Sequence, residues 1–333
     1  MVVSERVGWA DWAVFAALGL MWGSSFLFIK IGVETLTPFT LVAGRIAIGA
    51  AVLLAIVLTT REVLPRQRRV YAHIAVVAML GMVIPFSLIT WGERTIDSAL
   101  AAILNATVPL FVIVLAAIAL RDEPITVNRL VGLVLGFAGV VLLMSPDLAA
   151  GSRADVGGQL ALIGSSVSYA AGNVYARRFV RNVRPLSIAF LELSFALVAA
   201  LALVLIFERP FDLPVDGTSL VAVGWLGVFG SGLAFVAFFR LLSRWGSTRS
   251  SLVAYVLPVV GIVLGAVFLH ENVGPVVLAG TGLVIGGIAL TNARFGQRRL
   301  IGRAPLPPPA DGADRPVAPG TPGTGANVSR VGD

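Results

Sequence analysis

ALAAILNATVPLFVIVLAAIALRDEPITVNRLVGLVLGFAGVVLL, residues 99–143, has a second version in TRSSLVAYVLPVVGIVLGAVFLHENVGPVVLAGTGLVIGGIAL, residues 248–290. Each version contains an apolar helix with an internal proline, a short polar break with a Glu, and a second apolar helix rich in glycine. The aligned pairs are Pro109 with Pro258 and, after one deletion, Glu123 with Glu271, Gly132 with Gly280 and Gly139 with Gly287. Long hydrophobic segments in fixed register indicate an internal duplication, and a duplication of this kind determines the architecture.

The composition places the chain in a membrane. Hydrophobic residues make up 57% of it and charged residues only 13%, whereas a soluble domain carries about 25% charge. A membrane-spanning helix needs roughly 20 mainly apolar residues. Ten stretches qualify, near residues 12–31, 38–60, 71–91, 98–120, 126–144, 157–176, 185–207, 219–239, 248–269 and 274–292. The sequence therefore predicts an all-α integral membrane protein with ten transmembrane helices.

The duplication extends back to the first span. Trp22, Pro38 and Arg45 align with Tyr169, Pro185 and Glu192, and Leu80-Gly81 aligns with Leu226-Gly227. Each half then holds five spans, with predicted boundaries of 12–144 and 157–292. Because five is odd, the second half enters the membrane from the opposite side. We therefore expect two inverted five-helix repeats, the design that supports alternating access in secondary transporters.

The distribution of arginines predicts the orientation. With the N-terminus in the cytoplasm, about 18 basic residues lie on the cytoplasmic side and four on the other. The acidic residues, including Glu93, Asp97, Glu208 and Glu271, lean to the outside. This asymmetry predicts a multi-pass cell-membrane protein with both termini in the cytoplasm. Residues 296–333 are rich in proline, glycine and alanine, and we expect a disordered cytoplasmic tail there.

Several chemistries have no support in the sequence. The chain has no cysteine, and it has no P-loop, HExxH or GxSxG pattern. We expect no cofactor and no metal, and we expect the protein not to be an enzyme. The net charge of +7 reflects topology and contact with anionic lipids, so we expect membrane lipids and a small solute as partners and no nucleic acid.

The pattern resembles the EamA branch of the drug/metabolite transporter superfamily. The residues that carry the resemblance are Trp22 to Phe26 with Lys30, Pro38 with Arg45, Pro109 with the break Arg121 to Pro124, Gly132, Gly139, Pro258, His270-Glu271, Gly280 and Gly287. The resemblance covers about residues 12–292. It implies two five-helix halves around a central cavity, with spans 5 and 10 peripheral, and transport of small solutes such as amino acids, metabolites or drugs, often by export.

Two ionisable residues stand out inside the predicted spans, where charges are costly and mark functional candidates. Arg45 and Glu192 each follow the proline that opens their span by seven residues, roughly 10 Å inside opposite membrane faces. Glu192 is a candidate for proton or cation coupling, or else a carboxylate on a packing face. Arg45 is a candidate for binding an anionic group of the solute, or else a partner for helix-end carbonyls. The sequence does not decide whether Arg45 and Glu192 form a direct ion pair.

Uncharged polar residues inside the spans complete the candidate pathway: Trp22, Asn105, Tyr169, Asn173, Ser231 and Tyr255. Such side chains need a partner, which is either the solute or a neighbouring helix. Pro109 and Pro258 each free a backbone carbonyl and are hinge candidates, with a static kink as the alternative. Small-xxx-small patterns such as Gly282/Gly286 favour close helix packing and leave a homodimer open.

Two function classes follow. The first is a secondary, ATP-independent transporter that moves a small solute by rocking the two halves around a midplane cavity. The alternative is an integral membrane enzyme that acts on a lipid-linked substrate. Such an enzyme needs acids, histidines or metal ligands clustered at one membrane face, and the cytoplasmic loops offer mainly Arg with Glu62, Asp122 and Glu123.

Overall fold

The computed structural model describes residues 8–120, 125–180, 183–208, 216–250, 252–293 and 299–301. Thirteen α-helices account for nearly all of these residues. They are α1 (Trp9–Gly32), α2 (Pro38–Thr60), α3 (Arg68–Ala78), α4 (Ile84–Gly92), α5 (Ser98–Asn105), α6 (Val108–Ala119), α7 (Val127–Ala150), α8 (Arg153–Phe179), α9 (Pro185–Phe207), α10 (Gly217–Trp225), α11 (Ala234–Ser250), α12 (Val253–Phe268) and α13 (Pro275–Asn292). Grouped by continuity, they form ten helical segments in the described part of the chain, as predicted.

Eight of these segments are long and apolar enough to cross a membrane, and α12 is a shorter apolar helix. Proline occupies the first turn of α2, α9 and α13, where its missing N–H costs nothing because that donor has no partner within the helix. Their exposed leucines, valines and phenylalanines face the region that lipid would occupy, because a hydrocarbon solvent does not penalise apolar surface. The prediction of an all-α membrane protein is confirmed.

The helices run alternately between two ends of the bundle. We call one the acidic end, defined by Glu93, Asp97, Asp155, Glu208 and Glu271, and the other the basic end, defined by Arg68, Arg69, Arg178, Arg184 and Arg240. Helices α1, α4, α7, α9 and α12 end at the acidic end. Helices α2, α6, α8 and α11 end at the basic end.

Two segments contain π-helical turns at equivalent places in the two repeats. Met79–Val83 joins α3 to α4, and Leu226–Leu233 joins α10 to α11. Both include the Leu-Gly pair that the sequence alignment matches, Leu80-Gly81 and Leu226-Gly227. A π-helical turn widens the helix, and such turns are concentrated at functional sites. The repeat therefore extends to an irregularity of the backbone, which the sequence pattern did not predict.

Glycines bring α7 and α13 into backbone contact. A Cβ added at Gly132 would lie 2.5 Å from the carbonyl oxygen of Gly287, and one at Gly139 would lie 2.8 Å from that of Gly280. The sequence aligns Gly132 with Gly280 and Gly139 with Gly287. In the structure the pairs are exchanged, because Gly132 contacts Gly287 and Gly139 contacts Gly280. This crossed pairing is what a two-fold axis between inverted repeats produces. Close packing is thus found at these aligned glycines. A Cβ added at Gly282 or Gly286 would meet nothing within 4 Å among the described residues, so the close packing expected at Gly282/Gly286 is wrong.

The remaining contacts place the repeats around a shared centre. α2 packs on α9, and α2 also packs on the π-helical segment Leu226–Leu233. α1 packs on α12, and α8 packs on α4 and α6. Outside the helices, Ile125–Thr126 pairs antiparallel with Arg299–Ile301. The expected tail at 296–333 lies almost wholly outside the described residues, as does Glu123.

Candidate functional site

Arg45 lies at the junction of the two repeats. It is 3% exposed, and its Nε donates a hydrogen bond to the hydroxyl of Ser231, 3.3 Å away in the second π-helical segment. The guanidinium carbon sits 4.0 Å from the ring centroid of Phe86. A desolvated cation over an aromatic ring gains about 2 kcal/mol. A planar cation is thereby fixed in the protein interior, with its position set by both repeats.

Tyr169 extends this centre from the first helix of the second repeat. Its ring meets Phe86 edge-on, with 6.4 Å between the centroids, so it contacts the same ring that the Arg45 guanidinium covers. Tyr169 is only half-buried although its neighbours Ser168 and Ala170 are buried. An aromatic side chain with free surface beside a buried cation can contact a solute. We call Arg45, Phe86, Tyr169 and Ser231 the central cluster.

Trp22 and Ser25 border the central cluster from α1. Trp22 packs against Phe235 and Phe238, with ring centroids 6.2 and 5.4 Å apart. One turn further, Ser25 approaches Gly230, where an added Cβ would lie 3.0 Å from the Ser25 hydroxyl and 3.3 Å from an Arg45 guanidinium nitrogen. Gly230 therefore leaves the room in which α1 and Arg45 approach the π-helical segment.

The other pathway candidates lie apart from the cluster. Asn105 ends α5, and its buried side-chain oxygen has no hydrogen-bond partner within the described residues. Tyr255 accepts a hydrogen bond from Asn292 on α13, 2.8 Å away, so a neighbouring helix satisfies it. Asn173 is exposed near the basic end. Of the six uncharged candidates, Tyr169 and Ser231 belong to the central cluster and Trp22 borders it.

Arg45 and Glu192 are both buried, at 3% and 8% exposure, but no ion pair joins them in the described structure. Glu192 shares a face of α9 with Ala189 and Ala196, which pack in the core against α2. The partners of Arg45 are instead Ser231 and Phe86. The repeat places the two charges at equivalent depths from opposite ends, and this separation keeps them apart.

Glu93 is a buried charge that the sequence pattern placed among the outward-leaning acids. It follows α4 directly at the acidic end and is 0% exposed. It continues the face of Phe86 and Thr90, since positions seven and three residues earlier lie on one side of a helix. That spacing was the signal available in the sequence. Glu93 thus lies at the acidic end with the other outward-leaning acids, and its burial is what the charge distribution did not indicate.

Lys30 of α1 contacts the backbone at the end of α4. Its ammonium group donates to the backbone carbonyl oxygens of Glu93 at 2.8 Å and Ile96 at 2.7 Å. These carbonyls follow the last turn of α4 and have no partner within that helix, so the cation caps the helix end.

Carboxylates cap helix starts across the acidic end. Glu271 accepts hydrogen bonds from the backbone N–H groups of Ser98 and Ala99, at 2.7 and 2.9 Å. Glu271 therefore caps α5, 173 positions away in the chain, and not the adjoining helix α13. The electrostatic attraction between a carboxylate and a helix N-terminus favours this arrangement.

The two hinge candidates have unlike surroundings. Pro109 lies in the first turn of α6, just after the break Ala106–Thr107 that separates α5 from α6. Pro258 lies inside the continuous helix α12. At the break, the carbonyl oxygen of Leu104 accepts a hydrogen bond from Ser166 on α8 at 3.1 Å. A hinge role stays a prediction for both prolines.

Comparison with known proteins agrees with this architecture. The family model of the EamA-like transporter family matches residues 9–145 and again residues 156–293. The inner membrane transporter YedA of Escherichia coli strain K12, itself described as uncharacterized, is 30% identical over 277 residues, covering 82% of this chain and 88% of YedA. The uncharacterized transporter YoaV of Bacillus subtilis is 23% identical over 281 residues, covering 84% and 96%.

One solved crystal structure shares the fold, with a TM-score of 0.60 and 23% identity over 85% of this chain and 96% of that chain. The chain belongs to the EamA-like transporter family. It is thus a multi-span membrane transporter, and the family resemblance expected from the sequence is confirmed.

Proposed function

We propose that this protein is a secondary, ATP-independent transporter that exports a small solute such as an amino acid, metabolite or drug. The observation that carries the proposal is the central cluster, where Arg45 of one repeat meets Ser231 of the other. A guanidinium beside aromatic rings suits a solute that has a carboxylate and an apolar part. Transporter folds of this kind bind their solutes at the interface between repeats.

Alternating access would arise from rocking of the two repeats about the central cluster. At the acidic end, Glu208 at the end of α9 accepts hydrogen bonds from the backbone N–H groups of Phe39 and Thr40, at 2.9 and 2.8 Å. Glu271, which follows α12, caps α5 in the same way, so both carboxylates join second-repeat residues to the first repeat. Breaking these contacts would open the acidic end, and making them would close it.

The basic end would face the cytoplasm of the cell. The excess of arginine at this end agrees with the positive-inside rule, and both termini would then be cytoplasmic. Anionic lipid headgroups would surround the arginines at this end.

Proteoliposomes test the proposal directly. The purified protein is reconstituted, and the vesicles are screened for loss of preloaded amino acids and cationic drugs, without ATP. We expect protein-dependent flux of at least one class, reduced by Arg45→Ala. No flux above empty vesicles for any member of a broad panel would contradict a transport function.

A further inference from the structure

Both carboxylate oxygens of Glu93 lie in the protein interior without a hydrogen-bond partner among the described residues. The side chain is 0% exposed. A buried carboxylate without donors is costly, because burial penalises the charge and nothing replaces the lost water. Native proteins pair such groups, so an unpaired one calls for a functional explanation.

Charged groups face Glu93 from three neighbouring parts of the chain. Lys30 on α1 and Arg45 on α2 favour its ionised form, and Glu271, which follows α12, opposes it. Its chain neighbour Asp97 interacts in turn with Lys30, Glu271, Asp147 and Asp155. Glu93 is thus subject to the opposing influence of two cations, Lys30 and Arg45, and one carboxylate, Glu271.

Neutralisation of Glu93 removes the largest part of the cost of its burial, which is the desolvation of the charge. Glu93 lies one residue beyond the apolar segment Arg68–Gly92, and burial raises the pKa of its carboxyl well above the ordinary value. Lys30 and Arg45 limit this rise. The buried position without donors therefore suits the neutral carboxyl group better than the carboxylate. An ionised Glu93 would need water, or a movement toward Lys30, to stabilise its charge.

We propose that Glu93 is the proton-binding site of this transporter, and that its carboxylate takes up one proton in one conformation and releases it in another. This inference rests on the proposed transport function and names its coupling ion. In this proposal the proton-loaded form is the described conformation, in which both carboxylate oxygens are buried without a hydrogen-bond donor among the described residues. Loss of the proton to water leaves a carboxylate, which attracts Lys30 and Arg45 and thereby changes the contacts on the face of Phe86, Thr90 and Glu93.

The local chemistry selects a proton over a metal cation. The Lys30 ammonium already occupies the carbonyl oxygens of Glu93 and Ile96, the neutral oxygen ligands that a sodium ion would need. A second positive ion beside a fixed ammonium would be repelled, whereas a proton adds to the carboxylate and leaves it neutral.

Infrared spectroscopy tests the site without any solute. The full chain in lipid nanodiscs is titrated from acid to alkaline pH, and the carbonyl band of protonated carboxyl groups is followed. We expect Glu93→Gln to remove one such band that titrates above the ordinary range of Glu, and we expect Glu34→Gln, a change at an exposed position of the same end, to leave it. Retention of the band in Glu93→Gln would overturn the assignment.

Flux measurements then test coupling. In proteoliposomes with an imposed pH gradient, wild-type flux should respond to the gradient at least several-fold, and Glu93→Gln should lose the response while still exchanging solute across equal pH. A gradient response that persists in Glu93→Gln, or a sodium gradient that drives wild type and replaces pH, overturns the proposal. If wild type moves no solute, the transport proposal fails, and the infrared titration still decides whether Glu93 binds a proton.

Discussion

Glu62 and Glu208 occupy equivalent positions just beyond α2 and α9, and each carboxylate binds the beginning of the other helix. Glu208 accepts hydrogen bonds from the N–H groups of Phe39 and Thr40 and from the hydroxyls of Thr37 and Thr40. Glu62 accepts one from the Ser187 hydroxyl at 2.9 Å and pairs with Arg184 at 3.4 Å. In the described conformation, α2 and α9 are therefore joined by more hydrogen bonds at the acidic end, through Glu208, than at the basic end, through Glu62.

This asymmetry predicts that Glu208→Ala destabilises the protein. The substitution leaves two backbone N–H groups and two hydroxyls at the start of α2 without their acceptor, which should cost about 1–2 kcal/mol. Thermal unfolding in detergent should show a melting temperature several degrees lower. Glu34→Ala, at an exposed position of the same end, is the matched control. Equal melting temperatures for Glu208→Ala and wild type would show that the cap has no energetic role.

The contact between α7 and α13 provides a pair of neighbouring test positions. A Cβ at Gly287 would lie 2.6 Å from backbone atoms of Gly132 and Gly136, whereas one at Gly286 would meet nothing within 4 Å. Backbone atoms cannot give way as side chains do, so Gly287→Ala should destabilise by about 1–3 kcal/mol. Gly286→Ala should be neutral or slightly stabilising, since alanine favours a helix. Similar melting temperatures for both variants would contradict the packing described.

The buried carboxyl of Glu93 predicts a pH dependence of stability. An unfolded Glu titrates at about pH 4.3, and burial raises the pKa of Glu93 in the folded protein. As pH rises above the unfolded value, the unfolded chain loses its proton while the folded chain keeps it, so wild type loses stability until the folded pKa is passed. Glu93→Gln should therefore match wild type in acid and be more stable by about 1 kcal/mol or more at about pH 8.

Melting temperatures of both proteins across this pH range check the prediction, with Glu34→Gln as the control. A gap between Glu93→Gln and wild type that is independent of pH would mean that a steric change, and not proton binding, causes it. If the melting temperature of wild type instead rose relative to that of Glu93→Gln as pH increased, the result would contradict a raised pKa for Glu93.

Arg45 should not tolerate lysine. Lysine keeps the charge but lacks the planar guanidinium that covers Phe86 and bonds Ser231, so Arg45→Lys should lower flux at least several-fold with little loss of protein in the membrane. Arg94→Lys, an exposed arginine of the acidic end, is the matched control. Wild-type flux in Arg45→Lys would show that charge alone suffices and that the geometry of the central cluster is unimportant.

The architecture could be predicted because it depends on signals that are local in sequence. Apolar length predicts each span, and the fixed offset of Pro109 from Pro258 predicts the duplication. The glycines that align between the repeats also predict close packing, because only a residue without a side chain allows two helix backbones to touch. The odd number of spans in each half then determines the inversion.

The centre of the molecule depends on contacts between segments far apart in the chain, and these the sequence predicts only in part. Arg45, Ser231 and Tyr169 were candidates as polar residues within apolar spans. The sequence contains no comparable signal for Phe86, because aromatic residues are common in membrane spans. Glu93 was hidden by its position at a span end, where most carboxylates are solvated, and its burial depends on contacts with distant segments such as α1, whose Lys30 donates to its backbone carbonyl oxygen.

The central claim, that one site is reached alternately from both ends, is tested most directly with a single cysteine. The chain has no cysteine, so Ser231→Cys introduces a unique thiol at the central cluster. Vesicles of known orientation are treated with a membrane-impermeant maleimide from either side, with and without a Thr40→Cys, Glu208→Cys disulfide formed beforehand. The account predicts labelling from both sides, and loss of labelling from the acidic end alone once the disulfide has formed. Labelling from one side only in the unlocked protein, or labelling from the acidic end that survives the disulfide, would contradict it.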